Sequence, residues 1–564
     1  MTKVVIYLKS ACEWAIVFGA LVTACSSQTA PSAMKIDPAQ LAAIRTYISS
    51  TWDLLTRSMT DCKTVVDPKL PVASILYLPA GYATPPAVTK LQQDCHVDVK
   101  NLPAIIHGPG EVDTSKFKPH GLLYLENNYV VPGGPFNEMY GWDSYFIIRG
   151  LISDGRIDLA RGMVENFFFE IEHYGTVLNA NRTYYLSRAQ PPFLTAMIMA
   201  VYNAQKAAGK VDNSWLAKAY DSASKDYAMW TRVPHLAGTT GLSRYYDFGE
   251  GLTPESLVDE DGVQRKAMFY FASHPELAAR YIAQRKAGED GGPYDPSYSL
   301  EVCDQPSATA PAGCEAKTLF HLTEDYYKGD RAMRESGFDI SFRFGPYGSD
   351  THHFAPVCLN SLLYKTEKDM EEMARILGRA KEEKHWHERA KIRANIMRKL
   401  FWDSARGQFF DFDFETGKRS DYEFASTFYP LWTGWATPDE ARAVAGNLGV
   451  FELPGGIVTS RNQTGVQWDF PYGWAPLQLI AAEGLRNYKY DADADRVSTK
   501  FILTVLDNFV RDTTIHEKYN VETGSSNVDV IAGYQNVIGF GWTNAVYVEM
   551  EHLLESTSAG KKTE

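Results

Sequence analysis

An all-α chain, with long functional loops gathered at one end of a helical barrel or bundle, is predicted by three observations. Apolar residues recur at helical spacing: Met370, Met373, Ala374 and Leu377 share a face, and Trp386, Ala390, Ile396, Met397 and Leu400 continue the pattern in the next helix. Neither an alternating βαβ spacing nor a GxGxxG run occurs. The segments between periodic stretches are long and rich in Gly, Pro, Trp and Tyr, as expected of loops that carry function on a rigid scaffold.

Taken in order, the chain opens with an export signal pattern. Lys3 and Lys9 precede an uncharged, mostly apolar run at 15–24 (AIVFGALVTA), too short to span a bilayer but long enough for a signal core. Val22-Thr23-Ala24-Cys25 resembles the bacterial lipoprotein box, and Ser26 after the cysteine resembles the pattern sent to the outer membrane. Residues 1–24 are therefore expected to be a signal peptide, and 25–55 a lipidated N-terminus and tether. The expected location is exported, periplasmic or outer-membrane, with membrane contact only through lipid on Cys25.

Further helical stretches fall near 160–171, 192–208, 438–448, 476–488, 494–510 and 543–554. One start is well marked: Pro438-Asp439-Glu440 places proline and two carboxylates in a first turn. The last nine residues, STSAGKKTE (556–564), read as a disordered tail. Of the cysteines that remain after Cys12 and Cys25, Cys303 and Cys314 bracket a Pro- and Gly-bearing loop and are expected to pair. Cys62 and Cys95 are a second candidate pair, and Cys358, in an apolar run, is expected to be a buried thiol. No CxxC or HExxH spacing exists, and His352-His353 is an isolated pair, so neither a protein-held metal nor another cofactor is indicated.

Composition narrows the partners. Of 564 residues, 45% are apolar, enough for a large core and too many for a disordered chain. The net charge of −13, without a long basic run, argues against nucleic acid. Aromatics at 13% suit a large core and also suit sugar handling, where flat rings stack on sugar CH faces.

Five loops gather the residues that could carry chemistry. The first is Pro132-Gly-Gly-Pro-Phe-Asn-Glu-Met-Tyr-Gly-Trp-Asp-Ser-Tyr145, with four aromatics and the carboxylates Glu138 and Asp143. The second is Asn179-Ala-Asn-Arg-Thr-Tyr-Tyr-Leu-Ser-Arg-Ala-Gln-Pro-Pro192. The third is Arg334-Glu-Ser-Gly-Phe-Asp339 and the fourth is Gln467-Trp-Asp-Phe-Pro-Tyr-Gly-Trp-Ala-Pro476. The fifth is Glu517-Lys-Tyr519 followed by Gly539-Phe-Gly-Trp-Thr-Asn544. Sugar hydroxyls take Asp, Asn, Arg and Gln as hydrogen-bond partners. Cleaving a glycosidic bond needs two carboxyls, one protonated and one ionised, on opposite sides of the bond.

These loops resemble the trehalase family of glycoside hydrolases. The first resembles its signature PGGRFxExYxWDxY with one mismatch, and the fourth its signature QWDxPxGWAP without one. The remaining motifs follow in the family's order over roughly 120–550. The resemblance implies an (α/α)6 barrel, here one catalytic domain over 56–555, and inverting hydrolysis of the disaccharide α,α-trehalose to glucose. Carried over residue by residue, it implies Asp339 as general acid and Glu517 as general base. It also implies a sugar-binding set of Phe136, Trp142, Asp143, Asn179, Arg188, Ala189, Gln190, Glu255, Gly337 and Trp468.

The departures fall on the same site. The signature arginine is Pro135 here, and the arginine expected before Glu255 is absent from Leu252-Thr-Pro-Glu-Ser256. In Asp529-Val-Ile-Ala-Gly-Tyr534, Gly533 stands where the family has a Glu. An insertion is expected at about 257–333, and Arg331 and Arg334 are candidates to replace a lost arginine. Alternatives to trehalose hydrolysis are cleavage of another α-glucoside, favoured by the altered clamp, and a sugar-binding lipoprotein without catalysis, which the retention of both Asp339 and Glu517 opposes.

Overall fold

Helix starts in this chain are set by single residues. At α1 (Pro38–Leu55), the Asp37 side chain accepts the Ala39 N–H, and Pro38 takes a position whose N–H no helical bond needs. At Pro438–Gly446, Thr437 accepts the Glu440 N–H while the Glu440 side chain accepts from Thr437, a capping box at the start marked in the sequence. The structure is a computed structural model describing residues 37–67, 73–117, 119–253, 261–285, 300–303, 317–530 and 536–560.

The helices that follow are α2 (Gly141–Ser153), α3 (Ile157–Tyr174), α4 (Leu194–Ala207), α5 (Asn213–Trp230), α6 (Glu324–Glu335) and α7 (Val357–Ile376). Then come α8 (Ala380–Phe401), α9 (Tyr429–Thr433), α10 (Pro438–Gly446), α11 (Ala475–Asn487), α12 (Asp491–Asp512) and α13 (Gly541–Gly560). Six of them close a ring, each packed on the next: α2, α4, α7, α9, α11, α13 and back to α2. The other layer lies outside. There α1 packs on α12 and α13, α3 on α2 and α4, α5 on α4 and α7, α8 on α7, and α12 on α11 and α13. Helix α10 is tied to α8 by Arg398 and Glu440 at 2.8 Å. This is an (α/α)6 barrel, with its main apolar cluster filling the space between the two rings.

The two layers differ in legibility. Outer α8 buries Trp386, Ala390, Arg393, Met397 and Phe401, a single stripe at helical spacing. Inner α2 buries ten of its thirteen residues and so shows no amphipathic period; the sequence did not mark it as a helix.

Three boundaries need correction. Residues 38–55 are not tether but barrel helix: Arg45 meets Glu551 at 2.6 Å, and the Tyr47 and Thr514 hydroxyls lie 2.7 Å apart. The tail does not begin at 556, because α13 runs on to Gly560. The expected end of the insertion, 333, falls inside continuous α6, so it does not mark a boundary. The expected signal peptide and Cys25 lie outside the described residues.

Small sheets were not anticipated. Strands β1 (Ile75–Leu78), β2 (Asp98–Asn101) and β3 (Leu122–Leu123) form a parallel sheet ordered β2-β1-β3, with Ile75 opposite Asp98 and Leu76 opposite Leu122. Four buried apolar residues in β1 are too short a run to distinguish a strand from a helix turn. The insertion holds helices Asp261–Ala272 and Pro275–Tyr281 and an antiparallel sheet of β4 (Ile282–Arg285), β5 (Leu300–Cys303) and β6 (Lys317–Leu322), ordered β4-β6-β5. Its core of Phe271, Tyr281 and Tyr326 packs with Ile340 and Val466, neighbours of the third and fourth loops. Cys62 and Cys95 form the expected disulfide, and Cys358 is a buried thiol. The Cys303–Cys314 pairing lies outside the described residues.

Candidate active site

The motif loops run into the N-termini of inner helices, which collects them at one end of the barrel. Trp142 and Asp143 sit in the first turn of α2. The Arg188-Ala189-Gln190 segment leads into α4, the Gln467-Trp468-Asp469 segment into α11, and Trp542 opens α13. The third loop leaves α6 and leads toward α7. Strand β7 (Tyr472–Trp474) pairs antiparallel with β8 (Lys518–Asn520), Trp474 opposite Lys518, which sets Glu517 beside the fourth loop.

Between these loops lies a cavity of about 420 Å³. Asp339 and Glu517 both line it, and so do Phe136, Trp142, Asp143, Asn179, Arg188, Gln190, Gly337 and Trp468. Ala189 does not line it. Its N–H donates to Glu335 at 3.3 Å and its carbonyl accepts from Asn179 at 3.4 Å, so it joins two walls from behind. Glu255 and Gly533 lie outside the described residues.

One side of the cavity is an indole cluster. Trp468 stacks on Trp474 at 3.9 Å and 8°, and Trp142 meets Trp542 at 5.4 Å and Trp468 at 5.9 Å. The main-chain N–H of Trp142 donates to Gln190 Oε1 at 2.9 Å. Gly337 has φ +73°, and a Cβ there would stand 2.9 Å from the Trp142 ring, so both its backbone and its lack of side chain are required. The Asp339 carbonyl accepts from Trp468 Nε1 at 3.0 Å and from Gln467 Nε2. The Glu517 carbonyl accepts from Trp542 Nε1 at 3.3 Å and Thr543 Oγ1 at 3.2 Å.

The charges are crowded. Burial, then the charges of Glu517 and Asp339, push the Asp143 carboxyl well above the usual carboxylate range. Burial would likewise raise Asp247, but Arg331 and Arg188 outweigh it and hold that carboxyl low. Arg182 joins Glu138 to Asp67, the latter at 3.0 Å. Pro135 stands on the wall where the resemblance led us to expect a guanidinium.

The two candidate replacements separate. Arg331 binds the carbonyls of Glu250, Gly251 and Leu252 at 2.7–3.0 Å and Asp247 at 2.9 Å, which fixes the loop before Glu255. Arg334 lines the cavity, with its Nε on Asp330 at 3.1 Å. Tyr140, Tyr184 and Tyr185 also line it, inside motifs the sequence had marked without assigning them roles. Asp67 arrives from far upstream with no local signal. His352 and His353 are buried in an ion-pair network with Asp325. Arg280 donates to Asp325 at 2.6 Å and to His353 at 2.6 Å, so a cation already occupies that cluster.

The chain matches the family model described as Trehalase over residues 89–290 and 318–555. It is 34% identical to a probable trehalase of Eremothecium gossypii over 88% of this chain and 70% of that one. It is 36% identical to the cytosolic neutral trehalase of Saccharomyces cerevisiae over 74% of this chain, and spans 56% of that relative's length. The structure of neutral trehalase from Saccharomyces cerevisiae superposes with a TM-score of 0.72 at 30% identity, covering 91% of this chain and 94% of that one. These relatives correct the expectation of an exported lipoprotein anchored through Cys25, because several of the fungal enzymes similar to this chain are named cytosolic neutral trehalases. Among the described residues, no helix is long and apolar enough to cross a membrane.

Proposed function

The chain belongs to the trehalase family of glycoside hydrolases, and from that premise we propose that it hydrolyses α,α-trehalose to two glucose molecules, with Asp339 as acid and Glu517 as base. The observation that carries the reading is that these two carboxyls, far apart in sequence, line one indole-walled cavity. Asp339 protonates the glycosidic oxygen as the C–O bond breaks. Water attacks the anomeric carbon from the opposite face and gives its proton to Glu517. The attacked ring leaves as β-glucose and the other as α-glucose. Asn179, Arg188, Gln190 and Arg334 supply hydrogen-bonding groups to the sugar hydroxyls, and the indoles and Phe136 supply apolar faces. Arg334 offsets the guanidinium lost at Pro135, which favours trehalose over other α-glucosides. The catalytic unit we propose runs from α1 through α13.

Incubation with a panel of α-linked disaccharides, with the products followed by NMR, tests this. Equal initial yields of the two glucose anomers from trehalose are expected. Asp339→Asn and Glu517→Gln should each lower kcat by about 10²–10⁴-fold. Near-full activity in either variant would remove that residue from its role.

A further inference from the structure

Resting on the reading of Glu517 as base, we propose that Lys518 is a positioning residue for that base: its ammonium holds one carboxylate oxygen of Glu517 and presents the other, ionised, to the attacking water. Lys518 Nζ lies 2.7 Å from Glu517 Oε2, and the Lys518 side chain is 0% exposed against 9% for that of Glu517. A fully buried ammonium is costly unless it is paired and hydrogen-bonded, so a lysine in this place is held by the carboxylate it meets. Its Nζ also stands 4.8 Å from the centre of the Trp474 ring, the residue opposite Lys518 in the β7–β8 pair.

The backbone leaves the pair little freedom. The Lys518 N–H donates to Asn536 Oδ1 at 3.2 Å, and Asn536 Nδ2 donates to the Lys518 carbonyl at 2.9 Å. The Glu517 N–H donates to the Val537 carbonyl at 2.9 Å, while Trp542 and Thr543 hold the Glu517 carbonyl. What the main chain does not fix is rotation of the carboxylate about its own bonds, and the ammonium fixes that.

Charge accounting points the same way. Arg182 meets Glu138 and Asp67, Arg188 meets Asp247, and Arg334 meets Asp330. The cation on Glu517 is Lys518. The carboxyls that face this part of the cavity with Glu517 are Asp143 and Asp339. Asp143 is pushed toward its neutral form in part by the charge on Glu517. The 2.7 Å contact places the Lys518 ammonium on one oxygen of Glu517 within this group of carboxyls and so fixes where that carboxylate can point.

The test uses the full chain and trehalose. Lys518→Met should lower kcat by about a hundredfold or more with KM changed by less than about threefold, and should move the acidic limb of the kcat–pH profile to higher pH. Lys518→Arg, which keeps the charge, should restore much of kcat and return the limb. If Lys518→Met does not fold, as judged by circular dichroism and melting, Lys518→Gln keeps a donor without the charge and should show the same shift. A folded Met or Gln variant with an unmoved acidic limb and an intact kcat would overturn the proposal. The control Glu517→Gln separates the two readings. If it is inactive while Lys518→Met behaves like the parent, Glu517 stays the base and Lys518 is structural. If it is active, the base assignment fails and the positioning role falls with it.

Discussion

Trp468 Nε1 donates to the main-chain carbonyl of Asp339 at 3.0 Å, across 129 positions of sequence. The fourth motif therefore contributes more than a sugar-facing ring. It holds the backbone of the third motif, and Gln467 donates to the same oxygen.

Replacing Trp468 with Phe keeps a ring against Trp474 and removes that donor. A buried hydrogen bond of this kind is worth about 0.5–1.5 kcal/mol, so kcat for trehalose should fall by up to roughly twelvefold, and the space left in the buried indole cluster should also lower the melting temperature. Steady-state kinetics beside a thermal melt check both parts.

Arg334 and Arg331, one helical turn apart, should fail differently. Arg334→Ala breaks the 3.1 Å pair with buried Asp330 and also removes a guanidinium from the cavity wall, so beyond a loss of stability it should cost about 1.5–3 kcal/mol in kcat/KM, roughly ten- to a hundredfold. Arg331→Ala leaves buried Asp247 without its 2.9 Å partner and frees three carbonyls, so it should destabilise the fold by about 3–5 kcal/mol. Denaturant titration of both variants, set against kcat/KM, separates the effects.

Asp143→Asn should be the more stable protein and the worse enzyme. Because burial and the charges of Glu517 and Asp339 raise the folded-state value of Asp143, the stability it contributes when protonated is lost as pH rises through that value. The amide does not ionise, so its melting temperature should gain on the parent as pH rises, while kcat/KM for trehalose falls. A melting series across pH, with kinetics at one pH, checks this.

Asp469 gives a narrower window. Burial raises it to about 6, against the hydroxyls of Thr464, Tyr422 and Ser460 that bond its carboxylate. A raised folded value means that stability is highest below the unfolded value and falls as pH climbs through about 6. The loss is on the order of 3 kcal/mol between roughly pH 4 and 7. Asp469→Asn should remove this loss, so the stability difference between variant and parent should move in the variant's favour across that range.

The chemistry-bearing parts of the chain were legible because each is contiguous. Trp142-Asp143, Arg188 to Gln190 and Gln467-Trp468-Asp469 each sit in a short run at or before the start of an inner helix, Arg334 to Asp339 at the end of α6, and Glu517 just before β8, so one stretch of sequence holds one wall of the cavity. Outer helices such as α8 were equally plain, since one buried stripe leaves a periodic record. Export was the reading that failed: a short apolar segment resembling a signal carried less than the similarity of 74% of the chain to enzymes named cytosolic.

What the sequence by itself determined is most of the side chains that line the cavity, through motifs that resemble those of a family, and the outer helices, through the spacing of their apolar residues. Tertiary structure alone decided the rest. It closed six inner helices into a ring, one of them, α2, buried on nearly all sides and so without an apolar stripe. It sent Arg334 into the cavity and Arg331 into a loop clamp, although both lie on α6. It brought Asp67 to Arg182 and the Lys518 ammonium to Glu517. Such contacts depend on where side chains end up after distant segments pack. Burial and charge pairing act between neighbours in space, and the order of residues along the chain does not encode which neighbours those will be.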